Sequence, residues 1–320
     1  MRKLFLLTYL MIIGNIILAQ ERKVIEFNQE VFERKSELPG DKTIKIEVIV
    51  QKINAIATTD TQKIMLVAGW MYDHISFDAA KFERGGSISD YRTVLKTRKG
   101  ICSDYTALFA EFCNRLGIKN EIIEGYVQEF EEHKTEFKET NHAWNVVKLG
   151  KEWFHCDVFW MSGGVKQVSG KFVFEQRLND ELLLTQSKVF LDSHIPADPM
   201  WQLSYTPLSM KDMIQGMEWS ADTAIKFDYN KAIDKYRALS PVQKSLHFAD
   251  NAYQYNKDNS RIVVVNYFNA AIDLLNVSKG DKKIVATSRK YLLKAQKHLP
   301  AAAFPDKRLQ KQIETVLKSI

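Results

Sequence analysis

An activated sulfur nucleophile needs a thiol, an imidazole and a carboxylate, and this chain offers all three within about sixty residues. Cys102 follows a glycine in "RKGICSDYTALFAEFCNRLGI" and opens what reads as an amphipathic helix. The unpaired N–H groups of a helix start carry partial positive charge, which favours a thiolate. Such a cysteine also needs a base, best held by a carboxylate. His142 in "NHAWNVVKL" and Asp157 in "KEWFHCDVFW" are the candidates. If these segments pair as a hairpin looped at Leu149-Gly150, Lys148 faces Lys151 and His142 stands opposite Asp157. Their Cβ atoms would then be about 5 Å apart on one face. A four-residue loop keeps this register; a three-residue loop breaks it. Each residue alone also has a plainer reading: a core cysteine or half-cystine, a satisfied core histidine, an aspartate with a local hydrogen bond.

The elements around these residues are expected to position them. Residues 43–53, "TIKIEVIVQKI", alternate well enough for a strand, although the ending fits a helix equally well. "TTDTQKIMLVAGWMYDHISFD" predicts a helix capped by Thr59 or Asp60, with Ile64, Val67, Ala68 and Met71 as its apolar stripe. A "RGGSISDY" loop and a short helix lead to Gly100. In the next helix Tyr105, Leu108, Phe109, Phe112 and Leu116 recur at helical spacing, Cys102 shares their buried side, and Gly117 is a good terminator. A strand at 120–127, a charged loop at 128–140 and the two strands bearing His142 and Asp157 follow. From about Lys211 to Ile320 the pattern is helical, near 219–237, 241–257, 260–276 and 281–298, without a fixed-period repeat.

The quoted segments, in the order Cys102, His142, Asp157, resemble the transglutaminase-like superfamily. "FLDSHIPADPMWQL" at 190–203 is similar to the tail of its kyphoscoliosis-peptidase-like branch. The likeness covers about residues 55–205 and implies an α+β fold, a cysteine-bearing helix packed on an antiparallel sheet as in papain-type proteases. It implies Cys102 as nucleophile, His142 as general base and acid, and Asp157 as orienter, with Trp144 and Trp153 matching aromatics common around these strands. The Cys102 backbone N–H would serve an oxyanion hole. Trp70 is read as a packing residue, its indole N–H being an alternative second donor. Phe159 stands where many relatives have threonine, and the paired CxxC motifs of peptide:N-glycanases are absent.

The expected organisation is a signal peptide at 1–19, an N-terminal segment at 20–54, the transglutaminase-like domain at 55–210 and an α-helical region at 211–320. "MRKLFLLTYLMIIGNIILAQ" has the basic start, short apolar run and small residue of a secretory leader, with no nearby cysteine for a lipid anchor. A periplasmic or secreted protein is therefore expected, with no integral membrane segment after cleavage. Among three cysteines, Cys102 and Cys113 would lie about 16 Å apart on one helix and cannot bond. A Cys113–Cys156 bridge remains open. The net charge of +6 is dispersed, which argues against nucleic acid as partner. His155 is read as a sheet neighbour of Asp157. His74, His133, His194, His247 and His298 show no ligand spacing, so no metal and no cofactor is expected. "FERGGS" lacks the residues of a phosphate loop.

The expected function is an exported cysteine enzyme acting on peptide or amide carbonyls through a thioester, with protein or peptide as substrate and hydrolysis favoured over transamidation. The alternative is an inactive binding module of the cell envelope, whose helical C-terminal region presents a surface to a protein partner. Acetyl transfer of the arylamine N-acetyltransferase kind shares the Cys-His-Asp order, but no feature favours a CoA site.

Overall fold

Ile46, Ile49, Val50 and Ile53 are all buried, and they lie three, four and seven residues apart, so the segment expected as a strand coils instead into a helix, Ile46–Ile56. Its other residues meet solvent, and the apparent alternation was the edge of a helical stripe. The structure, a computed structural model, describes residues 24–127, 135–186, 188–216, 227–299 and 307–320. The expected leader at 1–19, His133 with most of the charged loop, and the start of the 219–237 helix lie outside the described residues.

In chain order the elements are α1 (Gln29–Glu33), α2 (Ile46–Ile56), α3 (Asp60–His74), β1 (Ser76–Phe77), α4 (Ala79–Glu83), α5 (Tyr91–Thr97), β2 (Lys99–Gly100) and α6 (Cys102–Arg115). Then come β3 (Asn120–Val127), β4 (His142–Leu149), β5 (Glu152–Cys156), α7 (Val158–Ser162), β6 (Gly163–Val168), β7 (Lys171–Gln176), β8 (Leu183–Thr185), α8 (Lys188–Ser193) and β9 (His194–Pro196). The helices α9 (Met210–Ile214), α10 (Tyr229–Arg237), α11 (Pro241–Tyr255), α12 (Arg261–Val277), α13 (Lys282–His298) and α14 (Lys307–Ser319) complete the chain.

Five strands form an antiparallel sheet in the order β8-β5-β4-β3-β9. The layout is α+β, with helix α6 laid on the sheet through an apolar face of Tyr105, Leu108, Phe109 and Phe112. Asn145 on β4 donates to the Thr106 carbonyl at 3.1 Å, tying helix to sheet. Helix α3 is capped as expected: the Thr59 hydroxyl accepts the Gln62 N–H.

The β4–β5 hairpin differs from expectation by one loop position. Leu149 pairs with Glu152, so Gly150 and Lys151 form the loop and every pair sums to 301 rather than 299. Gly150 takes φ of 61° at the first loop position, where a type II′ turn places glycine. The shift is two residues, so the faces are unchanged. Strand β5 also ends early, at Cys156, and "DVFW" turns into α7 because the Asp157 side chain caps that helix.

Gly125 sits in the middle of the sheet, paired with His142 on one side and Pro196 on the other. A Cβ there would lie 2.5 Å from the Trp144 ring and collide with the Ile195 carbonyl. Only glycine lets β9 approach closely enough. The C-terminal helices lean on the same region: Asn259 donates to the Tyr126 hydroxyl at 3.0 Å, and Asn256 to the Phe137 carbonyl at 2.7 Å. Gln202 exchanges hydrogen bonds with both backbone groups of Leu208 and donates to the Tyr255 hydroxyl on α11. No helix among the described residues is long and apolar enough to cross a membrane.

The packing at Gly125 predicts that Gly125→Ala spreads β9 from β3 and lowers unfolding stability by about 1–3 kcal/mol, as overpacking of a tight core does. Urea titration measures this. A change below about 0.5 kcal/mol would mean that the sheet opens there without cost.

Candidate active site

Cys102 owes its position to a buried carboxylate two residues farther along the same first turn. Asp104 accepts the Ile101 N–H at 2.9 Å and the Ser89 N–H at 2.7 Å, and pairs with the Lys81 ammonium at 2.6 Å. The Asp104 side chain is 1% exposed and that of Lys81 12%, so this ion pair joins α4, the 84–90 loop and the start of α6 from inside. At Gly100 a Cβ would meet the Cβ of Asp104 at 2.6 Å. The glycine before the cysteine is thus a packing requirement, and Cys102 emerges half-buried at the first helical position.

His142 opens β4. The preceding Asn141 side chain accepts the Val127 N–H and donates to the Val127 carbonyl, both at 2.9 Å, which extends the ladder by one rung and aims His142 inward. Its Nε2 lies 2.7 Å from Asp157 Oδ2, leaving Nδ1 as the ring nitrogen available to the thiol. Asp157 reaches it from the cap of α7, where its Oδ1 accepts the Phe159 and Trp160 N–H groups, each at 3.0 Å. The residues therefore meet although they are not cross-strand partners.

Sequence reasoning missed a fourth group. His194, set aside for lack of ligand spacing, lies on β9 with its Nε2 3.0 Å from the same Asp157 Oδ2. It is 37 residues from Asp157, and no local pattern announces such a contact. The only signal was its place in the 190–203 segment that resembles a family tail.

The electrostatics follow from burial against charge. For His142, burial opposes protonation, but the Asp157 charge and hydrogen bond, joined by the Cys102 sulfur, outweigh it and raise the pKa to about 10. Burial pushes the Asp157 carboxyl up, yet His142 and His194 hold it well below the usual carboxylate range. For His194 burial prevails over the Asp157 attraction and keeps the ring neutral. One carboxylate thus holds one charged and one neutral imidazole.

His142, Asp157 and His194 present donor atoms within 4.8 Å of one another, close enough to ask whether they hold a metal. The fit is poor. Both ring nitrogens already reach one oxygen at hydrogen-bond lengths of 2.7 and 3.0 Å. A tetrahedral ion about 2.1 Å from each atom would need the bridging protons removed and the shorter gap opened to roughly 3.3 Å.

Cys102 and His142 line a cleft of about 320 Å³, walled by Phe77, Phe82, Phe159, Trp160 and Val165, with Arg177 also lining it. Phe159, in place of the common threonine, packs edge-on against Tyr105 and forms part of this wall. Trp70 is not there: its indole donates to the Pro39 carbonyl at 2.9 Å and the ring is fully buried, so it packs and does not serve an oxyanion. Cys113 and Cys156 are buried free thiols rather than a bridge. Burial raises both, Cys156 to about 12. His155 accepts the Trp144 indole N–H at 3.1 Å within the sheet.

Residues 47–158 match the family model described as transglutaminase-like superfamily. Kyphoscoliosis peptidase of Homo sapiens is 28% identical over 200 residues, and that of Mus musculus 27% over 200. Each match covers 61% of this chain, which spans about 30% of the length of these relatives. A solved structure titled "Crystal structure of a TGase" is 18% identical, covers 53% of this chain and 42% of its own, and overlays with a TM-score of 0.29.

The ionic cluster predicts an asymmetric pH dependence of stability. His142, with its pKa raised on folding, stabilises fully below the unfolded value near 6.5 and loses that contribution as pH rises through about 10. The stability difference between wild type and His142→Gln should therefore be greatest below pH 6.5. Above it, the difference should shrink by on the order of 1 kcal/mol per pH unit. Urea titrations of both proteins from pH 6 to 10 measure this; a constant difference would mean the imidazole is not held as a cation.

Proposed function

We propose, for a chain that carries a transglutaminase-like domain of the kyphoscoliosis-peptidase-like branch, that Cys102, His142 and Asp157 form a catalytic triad acting on peptide or amide carbonyls. The observation that carries this reading is the buried His142–Asp157 pair at 2.7 Å, set beside a half-buried thiol in an open cleft.

In this reading the Cys102 sulfur attacks the carbonyl carbon while His142 holds the thiol proton. The oxygen that gains charge faces the backbone N–H of Cys102 at the start of α6, where the helix dipole also favours an anion. His142 then gives its proton to the departing amine, the C–N bond breaks and a thioester remains. Water, deprotonated by His142, releases the acid and restores the thiol. A lysine amine in place of water would join two chains. Hydrolysis is the favoured outcome, because a cleft of about 320 Å³ that must hold the acyl side leaves easier entry to water than to a second chain's lysine. Apolar walls suit it to a peptide bearing a bulky apolar side chain near the scissile amide. The basic, apolar leader-like stretch at 1–19 supports action outside the cytoplasm, on protein or peptide substrates in the envelope or beyond.

Labelling with iodoacetamide at pH 6–7, read by peptide mapping, should modify Cys102 first, and His142→Ala should slow that modification about tenfold or more. A His142→Ala rate equal to wild type would leave a binding module as the better reading. The full chain incubated with a peptide library, with and without a primary amine, then distinguishes the reactions by mass. Cleavage adds about 18 units across two fragments, deamidation adds about 1, and transamidation removes about 17 from the joined partners. Each product should vanish in Cys102→Ala.

A further inference from the structure

We infer that His194 is a positioning residue for the Asp157 carboxylate, holding the oxygen that serves His142 through a neutral Nε2–H donor. The inference rests on the triad reading above and extends it to a residue outside the Cys-His-Asp order.

The carboxylate has four acceptor positions, and each is filled. Oδ1 takes two backbone N–H groups from the first turn of α7, and Oδ2 takes the two imidazoles. With donors at both ends the group cannot rotate, so the oxygen facing His142 stays in place as the ring changes charge. Without His194, Oδ2 would keep a single partner, the ring that gains and loses a proton at Nδ1 during reaction.

His194 is itself held. Its ring is fully buried, stacked on Phe190 with centroids 4.1 Å apart, and meets the edges of Trp144 and Trp160 at 5.1 and 4.9 Å. The Ser193 hydroxyl lies 2.8 Å from Nδ1. Ionised Asp157 can only accept, so the single ring proton sits on Nε2, and Nδ1 is left to accept the Ser193 hydroxyl, whose other acceptor is the Phe190 carbonyl at 3.0 Å. The Phe190 carbonyl, 3.1 Å from Nδ1, would instead accept a proton from the doubly protonated ring. Burial and the neighbouring charged His142 disfavour that form.

The titratable groups facing this ring are His142 from β4 and Asp157 from the cap of α7; His155 of β5 stacks on Phe190, 4.5 Å away. Neutrality matters here. A lysine or arginine at this point would cancel the Asp157 charge on which the His142 proton depends, whereas a neutral donor orients the carboxylate and leaves its charge intact.

A pair of substitutions separates positioning from packing. His194→Gln keeps an N–H donor and loses the ring; His194→Phe keeps the ring and loses the donor. Positioning predicts that Cys102 alkylation in the Gln variant stays within about threefold of wild type and falls about tenfold in the Phe variant. The His142 Nε2–H resonance in ¹⁵N-histidine spectra should persist in the first and broaden or vanish in the second. The opposite order, with Phe equal to or better than Gln, would assign His194 to packing and overturn the inference, as would an unchanged His142 resonance in a folded Phe variant. Should the Phe variant not fold, Ser193→Ala carries the test: the freed tautomer predicts about threefold slower alkylation and a weakened resonance, and no change in either would overturn it. The spectra report the His142–Asp157 bond whether or not any substrate turns over. Slow labelling of Cys102 in wild type would therefore sink the enzyme reading without deciding this one.

Discussion

A carboxylate buried to 1% exposure, with an imidazole as its one cationic neighbour among the described residues, is the constraint around which the site is built. An isolated buried anion is costly, and it survives only where hydrogen bonds and an opposite charge replace water. Asp157 obtains these by ending one strand and starting one helix. Termination of β5 at Cys156 frees its side chain from the sheet, and the first turn of α7 supplies two N–H groups that would otherwise lack partners. The cap that starts the helix also fixes the anion, so one local event sets both backbone path and charge. The pair of imidazoles completes the shell from β4 and β9, strands that flank β3 on opposite sides.

That flanking arrangement depends on β3 being narrow where the histidines meet. Gly125 allows the Trp144 ring to lie across it and β9 to close in, and these contacts bring His194 within reach of Asp157. The C-terminal helices bear on the same strand. Asn259 holds Tyr126, and Asn256 holds Phe137 in the segment that leads to His142. Farther along β3, Arg237 and Lys244 pair with Glu121. A region that the sequence marks only as helical, and as a partner surface only in the alternative reading, is bonded to the strand behind the site, and its packing therefore helps set where β3 and the approach to β4 lie.

Much of this was legible in the sequence where physics is local. The α6 pattern, the Thr59 cap, and the strands at 120–127 and 142–149 follow from periodicity and capping within a dozen residues. Residues 46–56 were ambiguous because a short β-branched run satisfies both periods, and burial from one side decided for helix. The hairpin erred by one loop position, since Leu149-Gly150 and Gly150-Lys151 both place a glycine in the turn. The error was forgiving: a shift of two residues preserves the face, and the Asp157 side chain, swung out by the helix cap, still reaches His142. His194 was not legible by such rules, because its partner is set by the closure of β9 on β3 and by nothing in its own neighbourhood.

The partition of charge between two histidines on one oxygen follows from where each faces. Both rings touch Asp157, yet only His142 also meets Cys102 and lines the cleft, while His194 is enclosed by Phe190, Trp144 and Trp160. The ring with a second electrostatic partner carries the proton, and the enclosed ring stays neutral, because two cations with centroids 5.4 Å apart in a dry pocket would repel strongly. The same enclosure sorts the thiols. Cys113 and Cys156, buried among apolar side chains, are driven toward the protonated form, whereas Cys102 stands at the mouth of the cleft where a substrate could reach it. The sheet thus keeps its ion pair dry and exposes a single sulfur among the described residues, which is the division of environment that nucleophilic chemistry at a carbonyl requires.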